Sequence, residues 1–435
     1  MILSADWVVP VSAPPVRDGA IAIEDGRIAA VGTTAELGEG KRHTDSVILP
    51  GFVNAHSHLE YAVYAGFGDG LAFAPWLVLH NERKARLSFE QACDVARLGA
   101  AQCLQSGITT DGDASFSGGA AVACDELGLR ATVYLEVFGG TAEQVETRFA
   151  PNRDRIAGHL SERVRLGISP HAPYTCGLDL YAACIELGLP VATHLAESPG
   201  ETDWLLRGEG DLTPFAHILV PPLGETGVRA LAGRGLLSPN VTAAHCVLAD
   251  AEEIELLARH DVAVAHCPRS NAVLGCGIAP VADLLDAGVR VGIGTDSPAS
   301  TPSFDMFAEL RTAVYLARLR AARPEAMPAS RALELATLGS AHALGLAGEI
   351  GSLEVGKRAD LAVVSLAGSS LLPWEDPAAA VVLGGSPERV VTTIVGGEVR
   401  YAAGSFEWRE LLRRGNHARR TLLGLSRSSN ARPSP

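Results

Sequence analysis

Several features that would define other kinds of protein are missing from this chain of 435 residues. It has no CxxC pair. Its cysteines, Cys93, Cys103, Cys124, Cys176, Cys184, Cys246, Cys267 and Cys276, are scattered. That spacing argues against a disulfide scaffold in so long a chain and fits a reduced, cytosolic setting. It has no basic excess: Lys+Arg total 36 against 50 Asp+Glu, a net charge of −14. A nucleic-acid binder usually carries a basic footprint, so none is expected as a partner. No run approaches the roughly 20 apolar residues that span a bilayer, so no membrane is expected either. The start, "MILSADWVVPVSAPP", lacks a basic n-region and meets Asp6 early, unlike a signal peptide. Lysine is nearly absent: Lys41, Lys84 and Lys357 are all there are.

What is present is ample for a large core. Hydrophobic residues make up 47% of the chain, and its length fits a barrel with an accessory domain. Near the start, "GAIAIEDGRIAAVG" alternates, turns at Asp25-Gly26 and alternates again, a hairpin pattern. The texture returns late, in "GSLEVGKRADLAVVS" and "VVTTIVGGEVRYAAG". Residues 1–50 and 346–408 therefore read as one composite β-sandwich domain. Residues 51–345 alternate β-like runs with amphipathic stretches. The runs are "SVILPGFVNA", "GITTDGD", "LRATVYLEV", "VRLGISP", "LPVATHLAE", "VTAAHC", "VAVAHCP" and "VRVGIGTD". Eight such β–α units predict an α/β fold, a (β/α)8 TIM-type barrel. The arginine-rich segment 409–435 reads as a solvated helix followed by a disordered end, "SRSSNARPSP".

Polar residues collect at the C-terminal ends of these runs, where barrel enzymes place their chemistry. In "GFVNAHSHLEY", His56 and His58 stand two apart, so on a strand they share a face. The fourth run ends in His171, the fifth in His194 with Glu197 three residues on, the sixth in His245, the seventh in His266 and the eighth in Asp296. A lone histidine is more often structural than a ligand. A series at the ends of separate strands points to a metal site.

With that series the chain resembles the amidohydrolase superfamily over nearly its whole length. The resemblance implies that His56, His58, His194 and Asp296 hold a divalent metal. Three imidazoles and a carboxylate suit zinc, with iron(II) as the alternative. Two-metal members bridge their ions with a carbamylated lysine at the end of strand four. None of the three lysines can stand there, where His171 sits, so one metal is expected. A glutamate or cysteine bridge would be the exception. The resemblance further implies that metal-activated water attacks a ring carbon. Asp296 takes the water's proton, His245 orients the attacking oxygen, and Glu197 of "HLAE" protonates the adjacent ring nitrogen before ammonia leaves. The alternative for Glu197 is a carboxylate at a helix N-terminus.

The H-x-x-E pair is similar to that of the deaminase and chlorohydrolase branch. "FAPWLVLHNERKARL" resembles a segment of adenosine and S-adenosylhomocysteine deaminases that supplies a ribose-binding glutamate, which points to Glu82. A solvent-facing Glu82 is the alternative. "SPHAPYTC" resembles their strand-four loop and makes His171 a substrate contact. Trp76 either lines the pocket or packs the barrel. "HSHLEY", with Glu60, together with "LEVFG", "HLAESPGE" and "HCPRSN", looks more like the aminodeoxyfutalosine deaminases of the alternative menaquinone pathway. Their substrate carries a carboxyphenyl ketone, and a carboxylate favours an arginine; Arg148 and Arg269 are the candidates. His266 reads as packing beneath the site.

The expected partners are thus a small heterocyclic substrate and water. The family resemblance adds a homodimer. The competing readings are a deaminase of adenosine, S-adenosylhomocysteine or methylthioadenosine; a guanine, pterin or cytosine deaminase; a triazine chlorohydrolase; an imidazolonepropionase-like amide hydrolase; and an inactive barrel used as a scaffold.

Overall fold

The computed structural model describes residues 1–369 and 373–425. The end "SRSSNARPSP", expected to be disordered, lies outside them. Two sheets organise the chain. Strands β1 (Ile2–Val8), β2 (Val16–Glu24), β3 (Arg27–Thr33) and β4 (Lys41–Pro50) come from the N-terminal region. The second sheet runs through β5 (Phe52–Ser57), β6 (Ile108–Ser115), β7 (Arg130–Val137), β8 (Val164–Pro170), β9 (Val191–Leu195), β10 (Val241–His245), β11 (Ala263–His266) and β12 (Arg290–Ile293). β13 (Leu361–Ser365), β14 (Val390–Val395) and β15 (Glu398–Ala402) then return to the first. Its order is β15-β14-β13-β4-β1-β2-β3, so strands from both ends of the chain pair in one mixed sheet, β13 lying antiparallel to β4.

The 8-stranded sheet follows chain order, with parallel neighbours throughout. Its strands are buried on both faces, as a barrel wall covered by helices requires. A parallel bridge between Ser57 and Asp296 closes the ring. Asn54 and Thr295 reinforce that seam: Thr295 N donates to Asn54 Oδ1 at 2.9 Å, and Asn54 Nδ2 to Thr295 Oγ1 at 2.8 Å. This is the expected (β/α)8 barrel.

One expected strand divides. "SVILPGFVNA" supplies the end of β4 and the start of β5, which belong to different sheets. The chain crosses between them at Gly51, where an added Cβ would lie 2.1 Å from the Thr109 side chain. The sheets are also pinned by a buried ion pair. Arg130, at the start of β7, donates through Nε to Asp360 Oδ2 at 2.8 Å.

The tail departs from expectation. Residues Arg409–Leu422 form a helix, but it is docked rather than solvated. Gly415, Ala418 and Leu422 are buried, and Arg86 Nη1 donates to the Leu422 carbonyl at 2.8 Å. Its arginines misled the reading. Arg419 donates to the carbonyls of Val63 and Ala65, satisfying backbone groups of the segment after β5.

Candidate active site

The parallel register brings the strand-end residues to one place. One ring nitrogen from each of His56, His58 and His194 lies within 4.8 Å of the other two. Asp296 Oδ1 stands 3.5 Å from His58 Nε2 and 3.8 Å from His56 Nε2. Backbone carbonyls orient two of the rings. His58 Nδ1 donates to the Ala114 carbonyl at 2.8 Å, and His194 Nδ1 to the His171 carbonyl at 2.8 Å. Each ring therefore presents Nε2 to the centre. Burial, then the neighbouring rings, push His56 well below the ordinary histidine range and His194 down to about 3. Both stay neutral, the form that binds a metal. His56 Nε2 is buried with no hydrogen-bond partner. An orphaned ligand nitrogen among two other imidazoles and a carboxylate fits a divalent ion.

The loop carrying His58 is anchored from below by carboxylates that strand-end reasoning passed over. Ser57 Oγ donates to Asp111 Oδ2 at 2.6 Å, and Leu59 N donates to Asp113 Oδ2 at 2.5 Å. Both acids are buried on β6, within "GITTDGD".

Asp296 uses its other oxygen, Oδ2, to accept from Ser270 Oγ at 2.6 Å and Ser300 Oγ at 2.9 Å. Burial works to raise its pKa, but His245, His58 and Ser270 outweigh it and hold the carboxyl below the usual carboxylate range. His245 Nδ1 donates to Asn271 Oδ1 at 2.9 Å, which aims Nε2 into the site. Its φ is +75° and that of Asp296 +52°. Left-handed backbone at non-glycine residues costs of order 1–3 kcal/mol each, and here it falls on two site residues.

Glu197 faces the same space. Its Oε1 is 3.6 Å from His245 Nε2. The adjoining helix, Pro199–Arg207, is capped by Ser198, whose Oγ accepts from Glu201 N. Glu201 in turn accepts from Ala196 N and Glu197 N. The helix end is thus served by other residues, and the Glu197 carboxyl is left to the cavity. Burial pushes it up to about 7, against the pull of His245.

A cavity of about 540 Å³ opens over this cluster. It is lined by His58, His194, Glu197, His245 and Asp296 at one end, and by His171, Trp76 and Arg148 among others. His171 donates from Nδ1 to Thr175 Oγ1 at 2.8 Å, leaving Nε2 toward the cavity. Trp76 donates to the Ala299 carbonyl at 3.0 Å while its ring forms part of the cavity wall. Arg148 is exposed at the rim.

Three expected contacts are not brought to the cavity. Glu82 is exposed and does not line it. Arg269 is turned away and paired with buried Glu309. Glu60 is buried beside the cavity, but its carboxylate accepts from Ser115 Oγ at 2.5 Å, Gly119 N at 2.9 Å and Ser117 N at 3.1 Å. It anchors the start of the helix Gly119–Leu127. His266 is buried outside the lining, its Nδ1 without a partner.

The sequence reading missed Glu136 and Lys84, which both line the cavity. Glu136 ends β7 inside "LEVFG", the position the strand-end rule would have selected. Glu136, His171 and His194 form a second group with ligand atoms within 4.8 Å of one another. It shares His194 with the first group. Because His194 Nδ1 is committed to a carbonyl, Nε2 can serve only one ion at a time.

The amidohydrolase family model matches residues 47–400, and the imidazolonepropionase-like composite domain of bacteria matches residues 19–39. The chain is 37% identical over 412 residues to the 5-methylthioadenosine/S-adenosylhomocysteine deaminase of Moorella thermoacetica, covering 91% of this chain and 93% of that one. It is 34% identical to the 5'-deoxyadenosine deaminase of Methanothermobacter thermautotrophicus, covering 90% and 91%. Among solved structures it is similar to a zinc-bound adenosine deaminase of Xanthomonas campestris, with TM-score 0.87, 28% identity and coverage of 97% and 98%.

Proposed function

The chain belongs to the amidohydrolase family and is a hydrolase of C–N bonds, and on that premise we propose that it deaminates an adenine-type nucleoside. The observation that carries this reading is Glu197, a buried carboxyl pushed up to about 7, facing the cavity beside His245 and Asp296. A carboxyl that keeps its proton near neutrality can give it to a ring nitrogen. The adenosine-type relatives support the choice of ring.

We assign the metal ligands as His56, His58, His194 and Asp296, and the metal as zinc, the ion found in the Xanthomonas campestris neighbour. When bound, the ion supplies Lewis acidity that brings the pKa of water near neutrality. Asp296 Oδ1, the oxygen not taken by Ser270 and Ser300, accepts the proton water gives up. His245 Nε2, buried and unpartnered, hydrogen-bonds the attacking oxygen. Glu197 protonates the ring nitrogen next to the attacked carbon, where negative charge would otherwise build up. Collapse of the ring adduct then expels ammonia, the amino group taking the proton held on Asp296 while the hydroxyl proton returns to Glu197. His171 and Trp76 bind the substrate along the cavity wall.

For the substrate we propose aminodeoxyfutalosine, because the cavity lining includes the cations Lys84 and Arg148, which could receive a carboxylate. The second reading is methylthioadenosine, S-adenosylhomocysteine or 5'-deoxyadenosine, the substrates for which the relatives are named. Ammonia release by zinc-loaded protein separates them. The panel is aminodeoxyfutalosine, methylthioadenosine, S-adenosylhomocysteine, 5'-deoxyadenosine, adenosine and guanine. A kcat/KM at least tenfold higher on aminodeoxyfutalosine is expected. Preference for the other adenosines would install the second reading. Turnover of guanine alone would remove both.

A further inference from the structure

A second chamber of about 380 Å³ adjoins the active-site cavity. The two share Tyr61, Lys84, Phe116, Glu136, Phe138 and Arg148 as lining. Lys84 is the single lysine of the barrel, and its ammonium lies in this wall. Nζ is 4.1 Å from the ring centre of Phe116, 5.1 Å from that of Phe138 and 6.0 Å from that of Tyr61.

The charges around Lys84 are unmatched. Among the described residues no carboxylate lies within ion-pair reach of Nζ, and Nζ donates no hydrogen bond. Arg148 and Arg155 also line the second chamber; neither has a carboxylate partner, Arg148 bonding to Gln144 and Arg155 lying over Phe89. Two acids line it. Glu60 is consumed by the serine hydroxyls and backbone amides that hold it. Glu136 is buried with Oε2 unpartnered. Burial lowers the proton affinity of Lys84 and raises that of Glu136, each partly offset by the other. Three cations thus line the second chamber, whose one carboxylate without a hydrogen-bond partner is Glu136.

We propose that Lys84 is the receptor for an anionic group of the substrate, a carboxylate on a flat apolar arm. The aromatic rings beside Nζ supply flat apolar surface for the arm, and the ammonium supplies a charge-assisted hydrogen bond to its end. Glu136 sets the selectivity from the other side, since it repels an anion and favours a neutral hydrogen-bond donor. This assignment rests on the nucleoside reading and moves anion recognition from the arginines expected in the sequence to a lysine.

The test uses two substrates that differ only in charge: 5'-deoxy-5'-(4-carboxyphenylthio)adenosine and its 4-carbamoyl analogue. Ammonia release by the zinc-loaded full chain gives the ratio of their kcat/KM values. The wild type is expected to favour the carboxylate by about 10- to 100-fold, the range of a hydrogen bond to a charged group. Lys84→Met should bring the ratio near one, and Lys84→Arg should keep most of it. Glu136→Gln should raise the ratio several-fold, which keeps the proposal decidable if Lys84→Met does not fold. A wild-type ratio near one with both substrates turned over, or a ratio unmoved in Lys84→Met, overturns the assignment and leaves the deaminase reading standing. Turnover of neither substrate, nor of any other adenine nucleoside, removes both.

Discussion

Two parts of the active-site lining treat buried charge in opposite ways. Around His58, His245 and Asp296 each acid is bound into a network. Asp296 accepts from two serines, and Glu197 sits against His245, which Asn271 holds. Elsewhere in the lining Lys84 and Glu136 face the cavity without an ion-pair or hydrogen-bond partner, Glu136 beside His171 and His194. A network of the first kind is preorganised for a fixed transition state. Unpaired groups of the second kind are costly in the free protein and are repaid only when a ligand arrives. On the proposed reaction, the contrast separates the groups assigned to the chemistry from those assigned to selecting the substrate.

The sharpest way to break the comparison is at Asp296. Asp296→Asn keeps the shape and the serine contacts but removes the proton acceptor. A loss in kcat of about 10³-fold or more is expected, with one metal ion per chain still found by elemental analysis. Near-normal kcat in a metal-loaded variant would show that the proton goes elsewhere.

Glu197→Gln comes next, with an expected loss of about 10²- to 10³-fold in kcat and metal retained. This residue also fixes a pH dependence. Its carboxyl, pushed up to about 7 by burial, carries the proton below that value and loses it above. The wild-type kcat should therefore decline above about pH 7. The residual activity of Glu197→Gln should lack that decline, because no proton remains to be lost. The same alkaline limb in both enzymes would assign it to another group.

A smaller effect tests whether the network matters as a network. Ser270→Ala removes the 2.6 Å hydrogen bond to Asp296 Oδ2 and leaves Ser300 in place. Groups that orient a metal ligand typically contribute 10- to 100-fold in affinity or activity. About tenfold weaker metal binding is expected, measured by competition with a chelator. Unchanged affinity would reduce Ser270 to packing.

The barrel and the histidine series were legible because each depends on residues close in sequence. A strand end needs a few residues to read, and His56, His58, His194, His245 and Asp296 each sit at one or just beyond it. The misreadings have a common cause, a partner far along the chain. Arg269 looks free for a substrate until the fold brings Glu309 to it, 40 residues away. Glu60 looks like a pocket residue until Ser115 arrives from β6, 55 residues away. The tail helix looked solvated because its arginines find backbone carbonyls more than 300 residues earlier in the chain. Glu136 is different. It obeys the strand-end rule, but histidine series are easier to notice than a single carboxylate.

Glu82 yields the smallest expected effect and tests how a resemblance should be carried onto a sequence. The segment containing it forms the helix Phe73–Lys84. Trp76, His80 and Lys84 stand four apart, so they share a face, and all line the cavity. Glu82 is two residues from His80 and from Lys84, about 200° around the helix, and it is exposed. Helical phase alone therefore favours Lys84 over Glu82 as the residue this segment contributes. Glu82→Gln should change kcat/KM on any adenine nucleoside by less than about twofold, as expected of a surface substitution away from the site. A tenfold rise in KM confined to substrates with both ribose hydroxyls would mean that the helix turns Glu82 inward when a nucleoside binds. The helix would then recognise sugar through Glu82 as well as charge through Lys84.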